Sequence, residues 1–125
     1  MESPTEPRHR TYGTPLSEWI TLTLGELSID AVGLWQVVNG LKWGYGLSGP
    51  QLEGAVRASV AALLAAGGRP VQGSSSDKQW HLRSDLAHPE EQALAQVMDY
   101  WRALGHDPDL DDIWFARPEI YEEEP

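Results

Sequence analysis

The residues best suited to chemistry lie between positions 107 and 112, where the sequence reads D-P-D-L-D-D. Alternate carboxylates could ligate a divalent cation, because calcium loops place acidic ligands at their first, third and fifth positions. The pattern fails further along, since Asp112 stands where the turn glycine is needed and Pro118 where the final glutamate is needed. We therefore predict an acidic turn after a helix and no dedicated metal site.

No set of residues predicts catalysis or a cofactor site. The four histidines form neither H-x-H nor H-E-x-x-H, and there is no cysteine to act as a nucleophile or thiolate ligand. The serines at 74–76 lack the G-x-S-x-G pattern of a nucleophile elbow, and G-Y-G-L-S-G at 44–49 lacks the lysine of a phosphate-binding loop. We predict that the protein is not an enzyme and uses no cofactor.

The charge distribution divides the chain into two unequal parts. The formal net charge is −10, yet residues 1–84 carry seven acidic and seven basic side chains. Residues 85–125 carry twelve acidic side chains against Arg102 and Arg117, so the whole imbalance lies in the last third. A field of this sign repels nucleic acid and attracts a basic partner, although the same charge also serves solubility alone.

Aromatic side chains lie within this acidic third, and aromatic anchors inside a charged rim are typical of a binding patch. Trp101 and Trp114 could instead be ordinary core residues, so the acidic side chains are the stronger candidates for contact. The predicted partner-binding residues are Asp99, Asp107, Asp109, Asp111, Asp112, Trp114, Glu119 and Tyr121. Together they predict a surface that binds a basic protein.

Apolar periodicity predicts three helices that would position these residues. The central helix follows Pro50, carries apolar residues at helical spacing and ends at Gly67-Gly68. A helix from Ser28 to Leu41 precedes it, although Asn39-Gly40 could end that helix early. A helix from Pro89 to Gly105 follows it, with acidic residues in its first turn.

Short extended segments are predicted between and beside the helices. Residues 69–72 and 78–82 flank a glycine- and serine-rich loop and predict a β-hairpin. Residues 20–24 alternate as a strand does, and a helix from Pro15 to Leu24 is the competing prediction. Ile113–Phe115 predicts either a short strand on the sheet or a tail docked in a groove.

The element order predicts an α+β fold that is mostly helical. Its core would be winged-helix-like (helix, helix, β-hairpin), with an added C-terminal helix and an acidic tail. Residues 1–13 are predicted to be a flexible leader, residues 14–116 a single compact domain and residues 117–125 the acidic tail. A winged-helix transcriptional regulator would contact DNA near Gln51 and Arg57, but this region has few basic side chains.

The sequence carries no export or membrane signal. No apolar run approaches membrane-spanning length, and the N-terminus lacks the apolar core of a signal peptide. A cytoplasmic protein without a membrane partner is therefore predicted.

Six short, mostly apolar signatures follow one another along the chain. They are L-W-Q-V-V at 34–38, L-L-x-x-G at 63–67, W-x-L at 80–82, P-E-E-Q at 89–92, W-R-A-L-G-x-D-P at 101–108 and D-I-W-F at 112–115. This order is similar to that of a group of small bacterial proteins, some of which resemble immunity proteins encoded beside polymorphic or contact-dependent toxins. The resemblance covers about residues 28–116, implies a shared fold more than a shared partner, and supplies no catalytic residue. Because some members resemble immunity proteins, the partner that it suggests is a cognate protein toxin. An acidic cover would suit a nuclease toxin, which must be basic to hold its substrate.

Overall fold

Helices and one small sheet make up the part of the chain described by the computed structural model, residues 6–73 and 79–121. The helices are α1 Leu16–Leu27, α2 Leu34–Asn39, α3 Gly49–Ala65, α4 Ser84–Ala87, α5 Ala93–Leu104 and α6 Pro118–Tyr121. A π-helical turn, Gly40–Gly44, continues α2, and a 3-10 turn, Glu90–Gln92, precedes α5. The strands are β1 Val32–Gly33, β2 Arg69–Gly73, β3 Trp80–Leu82 and β4 Trp114–Ala116. The predicted α+β, mostly helical fold is confirmed.

The four strands form one antiparallel sheet in the order β1-β4-β2-β3. The predicted hairpin is confirmed, with Val71 of β2 opposite Leu82 of β3. The hairpin is not a free wing, because β2 also pairs with β4, where Pro70 lies opposite Phe115. The winged-helix-like arrangement is therefore not confirmed. Of the two predictions for Ile113–Phe115, the strand is the correct one.

The sheet has a core face and an outer face. Val32 of β1 lies opposite Phe115 of β4, and both side chains are fully buried in the core with apolar residues of α2, α3 and α5. Since side chains alternate along a strand and paired residues share a face, Gly33, Trp114 and Val71 face the other way. Trp114 is half-buried on this outer face, so part of the face remains accessible. None of the helices in the described ranges combines the length and the apolar character needed to cross a bilayer.

The segment 20–24 is helical, so the strand prediction is wrong and the competing helix is correct. The hydroxyls of Thr21 and Thr23 donate to the carbonyls of Ser17 and Trp19 at 3.1 and 2.9 Å, which satisfies these polar side chains within the helix. The apolar face of α1 packs against the core. Burial of that face outweighs the strand preference of the threonines.

The helix predicted to begin at Ser28 begins instead at Leu34. Ser28 follows the end of α1, and its hydroxyl donates to the carbonyl of Gly25 at 2.8 Å. Val32 and Gly33 pair with β4 and form β1. At the start of α2, the Gln36 side chain accepts the N–H of Gly33 at 2.7 Å. The serine therefore ends one helix instead of starting the next.

Residues 6–13 of the predicted flexible leader are held against the helices. The N–H of Arg10 donates to the carbonyl of Gly44 at 2.7 Å. The Glu6 carboxylate accepts both the N–H and the hydroxyl of Ser17 at 2.9 Å, and these bonds lower the pKa of Glu6. The rest of the leader lies outside the described residues.

Candidate functional site

Three tryptophan rings lie side by side across the outer face of the sheet. The ring of Trp114 on β4 lies 5.1 Å from that of Trp80 and 6.3 Å from that of Trp35, measured between centroids. Both flanking rings cover glycines: a Cβ added at Gly33 would lie 2.6 Å from Trp35, and one added at Gly73 would lie 3.4 Å from Trp80. We call Trp35, Trp114 and Trp80 the tryptophan stripe.

The tryptophan stripe is partly exposed, although Val71 on the same face of the sheet is fully buried. The indole N–H of Trp114 donates to the carbonyl of Leu110 at 3.1 Å. The indole nitrogen of Trp35 is buried without a hydrogen-bond partner among the described residues. An unpaired buried donor costs free energy, and such local conflicts are expected where function competes with stability.

Residues Asp107–Asp112, which we call the acidic loop, connect α5 to β4 and are held by their own hydrogen bonds. The Asp109 carboxylate accepts the N–H of Asp111 at 2.9 Å, and the Asp109 N–H donates to the Asp112 carboxylate at 2.8 Å. Leu110 is 64% exposed, while its carbonyl holds the central ring of the tryptophan stripe. The acidic loop therefore presents a leucine and two exposed carboxylates beside that stripe.

A fourth and more exposed tryptophan lies near the first residue of the acidic loop. The ammonium group of Lys42 donates to both carboxylate oxygens of Asp107, at 2.8 and 2.9 Å. The same ammonium lies 5.8 Å from the ring centroid of Trp43, which is 68% exposed in the π-helical turn. We define the docking surface as the tryptophan stripe, the acidic loop and Trp43.

Asp112 is a predicted contact residue, but the structure gives it an internal role. One carboxylate oxygen accepts the hydroxyl of Tyr100 at 2.7 Å, and the other accepts the N–H of Asp109. The residue is only 9% exposed. Because both oxygens are used internally, Asp112 orients the acidic loop and does not offer its charge to a partner.

The Tyr100 hydroxyl predicts a pH dependence of stability. Burial, followed by the bond to Asp112, raises the pKa of Tyr100 to about 12, against about 10 in an unfolded chain. The native state then keeps a proton that the unfolded state releases, so the free energy of unfolding falls as pH rises from about 10 to about 12. A phenolate absorbance titration of wild type and Tyr100→Phe measures this. The absorbance change of one phenol near pH 12 should be missing in the variant. If the two titration curves are the same, the raised pKa does not belong to Tyr100.

Asp99 and Glu119, two further predicted contact residues, lie outside the docking surface. Asp99 on α5 pairs with Arg102 at 3.0 Å, and Glu119 on α6 pairs with Arg117 at 3.2 Å. Tyr121 ends α6, but its side chain lies outside the described residues. The docking surface contains Asp109, Asp111 and Trp114 of the predicted residues, together with Asp107, whose carboxylate is already paired with Lys42.

The predicted contact residues omit three tryptophans of the docking surface, Trp35, Trp43 and Trp80. Periodicity puts either Trp35 or Gln36 on the inner face of a helix beginning at Ser28, whereas in the structure α2 begins at Leu34 and the Trp35 ring lies beside Trp114 on the outer face of the sheet. The W-x-L pattern of β3 does put Trp80 and Leu82 on one face, which is a usable signal. Trp43 lies beyond the regular part of the predicted helix, where periodicity assigns no face.

Asp107, Asp109 and Asp112 of the acidic loop use their carboxylates in hydrogen bonds and an ion pair within the described part of the chain. Within residues 6–73 and 79–121, no group of three or more acidic or histidine side chains is placed to hold a metal ion. The carboxylates of Asp109 and Asp112 bind backbone N–H groups of the acidic loop instead.

Comparison with known proteins supplies no relative from which a function could be transferred. No protein-family model, no curated protein and no solved structure matches this chain. The resemblance to toxin-immunity proteins therefore stays a prediction, and the docking surface is the feature from which a function can be inferred.

Proposed function

We propose that this protein binds a basic protein through the docking surface, and that the partner is a toxin neutralised by being covered. The observation that carries the proposal is that Leu110, Asp109 and Asp111 of the acidic loop are all exposed. Trp43, also exposed, is linked to the start of that loop through Lys42, whose ammonium binds Asp107 and lies over the Trp43 ring. Tryptophan is enriched among residues that dominate binding energy, and a charged rim gives specificity and fast association. The docking surface offers both exposed apolar side chains and exposed carboxylates.

The apolar part of the docking surface has a substantial free energy to contribute. A tryptophan presents roughly 150–250 Å² of surface, so burying the exposed part of Trp43 would contribute about 2–4 kcal/mol before the costs of association. Leu110 adds a second exposed anchor. Both positions are fixed, since Trp43 lies against Lys42 and the Leu110 carbonyl is bound to Trp114.

The charged part of the docking surface favours a basic partner. The Asp111 carboxylate makes no hydrogen bond or ion pair among the described residues, and that of Asp109 accepts only a local N–H. The chain as a whole carries a net charge of −10. Salt screens exposed charges over about 8 Å at physiological ionic strength, so association should slow as salt is raised.

The first test is capture of the partner with tagged protein from a lysate of the source organism, at low and then high salt. We expect one stoichiometric, basic protein that high salt releases and whose toxicity to host cells disappears when this chain is co-expressed. A partner of acidic charge, or one that is not toxic, would contradict the proposal.

The second test measures association kinetics of the captured partner with Asp109→Asn/Asp111→Asn. Asparagine keeps the turn-forming oxygen but removes both charges, so we expect association at low salt to slow by about tenfold or more while the fold is retained. The matched control is Glu26→Gln/Glu91→Gln, which removes two exposed charges outside the docking surface. Equal effects of the two double variants would show that only the net charge matters.

The alternative function, DNA binding by a winged-helix regulator, draws less support. Arg57 is exposed on α3, but Glu53 on the same helix pairs with Arg102, which leaves no basic stripe there. A low-salt gel shift with fragments of the protein's own promoter tests this alternative. Salt-sensitive binding to DNA, with no protein partner captured, would favour it over the immunity proposal.

A further inference from the structure

A second concave site lies where α3 ends, and it shares no residue with the docking surface. It is a cavity of about 390 Å³ between the end of α3, the start of β2, the end of α4 and the start of α6. Its charged and titratable lining residues are Arg69, Arg117, His88, Glu90 and Glu119. The volume falls within the range of small-molecule sites.

Arg69 is held in the cavity wall before any ligand arrives. One terminal nitrogen of its guanidinium donates to the carbonyls of Leu64 and Gly68, at 3.1 and 2.9 Å. These carbonyls lie at the C-terminal end of α3, where helical partners are lacking. The other terminal nitrogen lies 3.7 Å from the Glu90 carboxylate, which is too long for a hydrogen bond. A fixed guanidinium therefore keeps donors free for a ligand at low entropic cost.

Arg117 lies against the same turn from the other side. It follows β4 directly, and a Cβ added at Gly67 would lie 4.0 Å from its Nε atom. Its only ion pair among the described residues is with Glu119, whose carboxylate lies 3.2 Å from Nε. Its terminal nitrogens donate no hydrogen bond to any of those residues. Two guanidinium groups therefore flank the turn at the end of α3 and line one cavity.

The acidic residues of the cavity are weak competitors for these arginines. The side chains of Glu90 and Glu119 are 64% and 65% exposed. Exposed ion pairs contribute only about 0–1 kcal/mol, whereas an oxyanion held by two guanidinium forks forms several charge-assisted hydrogen bonds. A ligand that carries such an oxyanion can displace both carboxylates.

We infer that this cavity binds a small molecule carrying either a phosphate group or a pair of carboxylates, with Arg69 and Arg117 as the principal contacts. His88 supplies a third polar side chain at the rim. The inference does not depend on the proposed function, because the cavity and the docking surface are built from different residues.

The test is an NMR titration of the full chain with inorganic phosphate and, separately, with succinate. We expect one of these probes to give saturable shifts of the backbone amides of Gly67, Gly68 and Arg117 in the millimolar range or below. Phosphate alone identifies a phosphorylated ligand, and succinate alone identifies a dicarboxylate. The absence of saturable shifts with both probes, or shifts spread evenly over all arginines, would overturn the inference.

Three variants separate this site from general charge effects. Arg117→Gln should weaken binding at least tenfold, while Arg57→Gln, at an exposed arginine outside the cavity, should leave it unchanged. Glu119→Gln removes a competing carboxylate and should tighten binding about two- to fivefold. Equal losses for the two arginine variants, or weaker binding by Glu119→Gln, would contradict the inference. The amide spectrum of each variant reports whether the fold is retained.

Discussion

Replacing Phe115 with alanine is expected to lower the free energy of unfolding by about 3–5 kcal/mol. The ring is fully buried in β4, a central strand of the sheet, between Val32 of β1 and Pro70 of β2. Truncation loses the free energy gained by transferring the ring from water to the core, and it leaves a cavity. The backbone of β4 cannot move to fill this cavity, because the strand is paired on both sides. A domain of this size has roughly 5–15 kcal/mol in total, so much of the variant should unfold at modest denaturant concentrations. Urea denaturation followed by circular dichroism measures the change.

The control for this prediction is Trp43→Ala, which removes an even larger aromatic side chain. Trp43 is 68% exposed, so its loss should change the free energy of unfolding by no more than about 0.5 kcal/mol. Partner binding should respond in the opposite order, with Trp43→Ala weakening affinity by about ten- to thirtyfold. If both variants destabilise the fold equally, the assignment of Trp43 to a docking surface is contradicted.

Replacing Asp112 with alanine is the second large expected effect, a loss of about 2–4 kcal/mol from the free energy of unfolding. The substitution leaves the Tyr100 hydroxyl and the Asp109 N–H without their acceptor. Both hydrogen bonds are partly buried, and a donor shielded from water that loses a charged partner costs about 1–3 kcal/mol. Thermal or chemical denaturation at neutral pH measures the loss, and the late titration of Tyr100 should move back toward its ordinary range.

The matched control is Asp111→Ala, which removes the same charge one residue earlier. The Asp111 side chain is exposed, and the hydrogen bond of this residue to Asp109 uses the backbone N–H, which alanine retains. We expect a change of no more than about 0.5 kcal/mol, and slower association with a basic partner. Equal destabilisation by the two variants would mean that net charge, and not the geometry around Asp112, sets the stability of the acidic loop.

The contrast between Asp111 and Asp112 also guides charge-reversal experiments. Reversing the charge at Asp109, Asp111 and Asp112 together would unfold the acidic loop as well as change its field. A variant set restricted to Asp109 and Asp111 separates binding from stability, because among residues 6–73 and 79–121 neither side chain has a partner outside the acidic loop.

The sequence by itself determines the elements whose signals are local. Helix α3 follows from apolar residues at helical spacing between Pro50 and Gly67, and the structure confirms it. The end of α5 at Gly105, which adopts a left-handed conformation with φ of 73°, follows from the same kind of reasoning. The β2–β3 hairpin and the concentration of acidic residues after position 85 are also fixed by residue order alone.

Only the tertiary structure decided which face of the sheet each tryptophan covers and which aspartate is buried. The segment 20–24 has the alternation of a strand, yet it forms a helix because its apolar face is buried against the core. Residues 114–116 lie near the end of the chain, yet they form a middle strand, because β4 pairs with β1 on one side and with β2 on the other. Adjacent residues such as Asp111 and Asp112 carry identical local signals, and the contact that separates them, the Tyr100 hydroxyl, comes from a different element. Such long-range contacts set burial, and burial decides whether a carboxylate stabilises the fold or faces a partner.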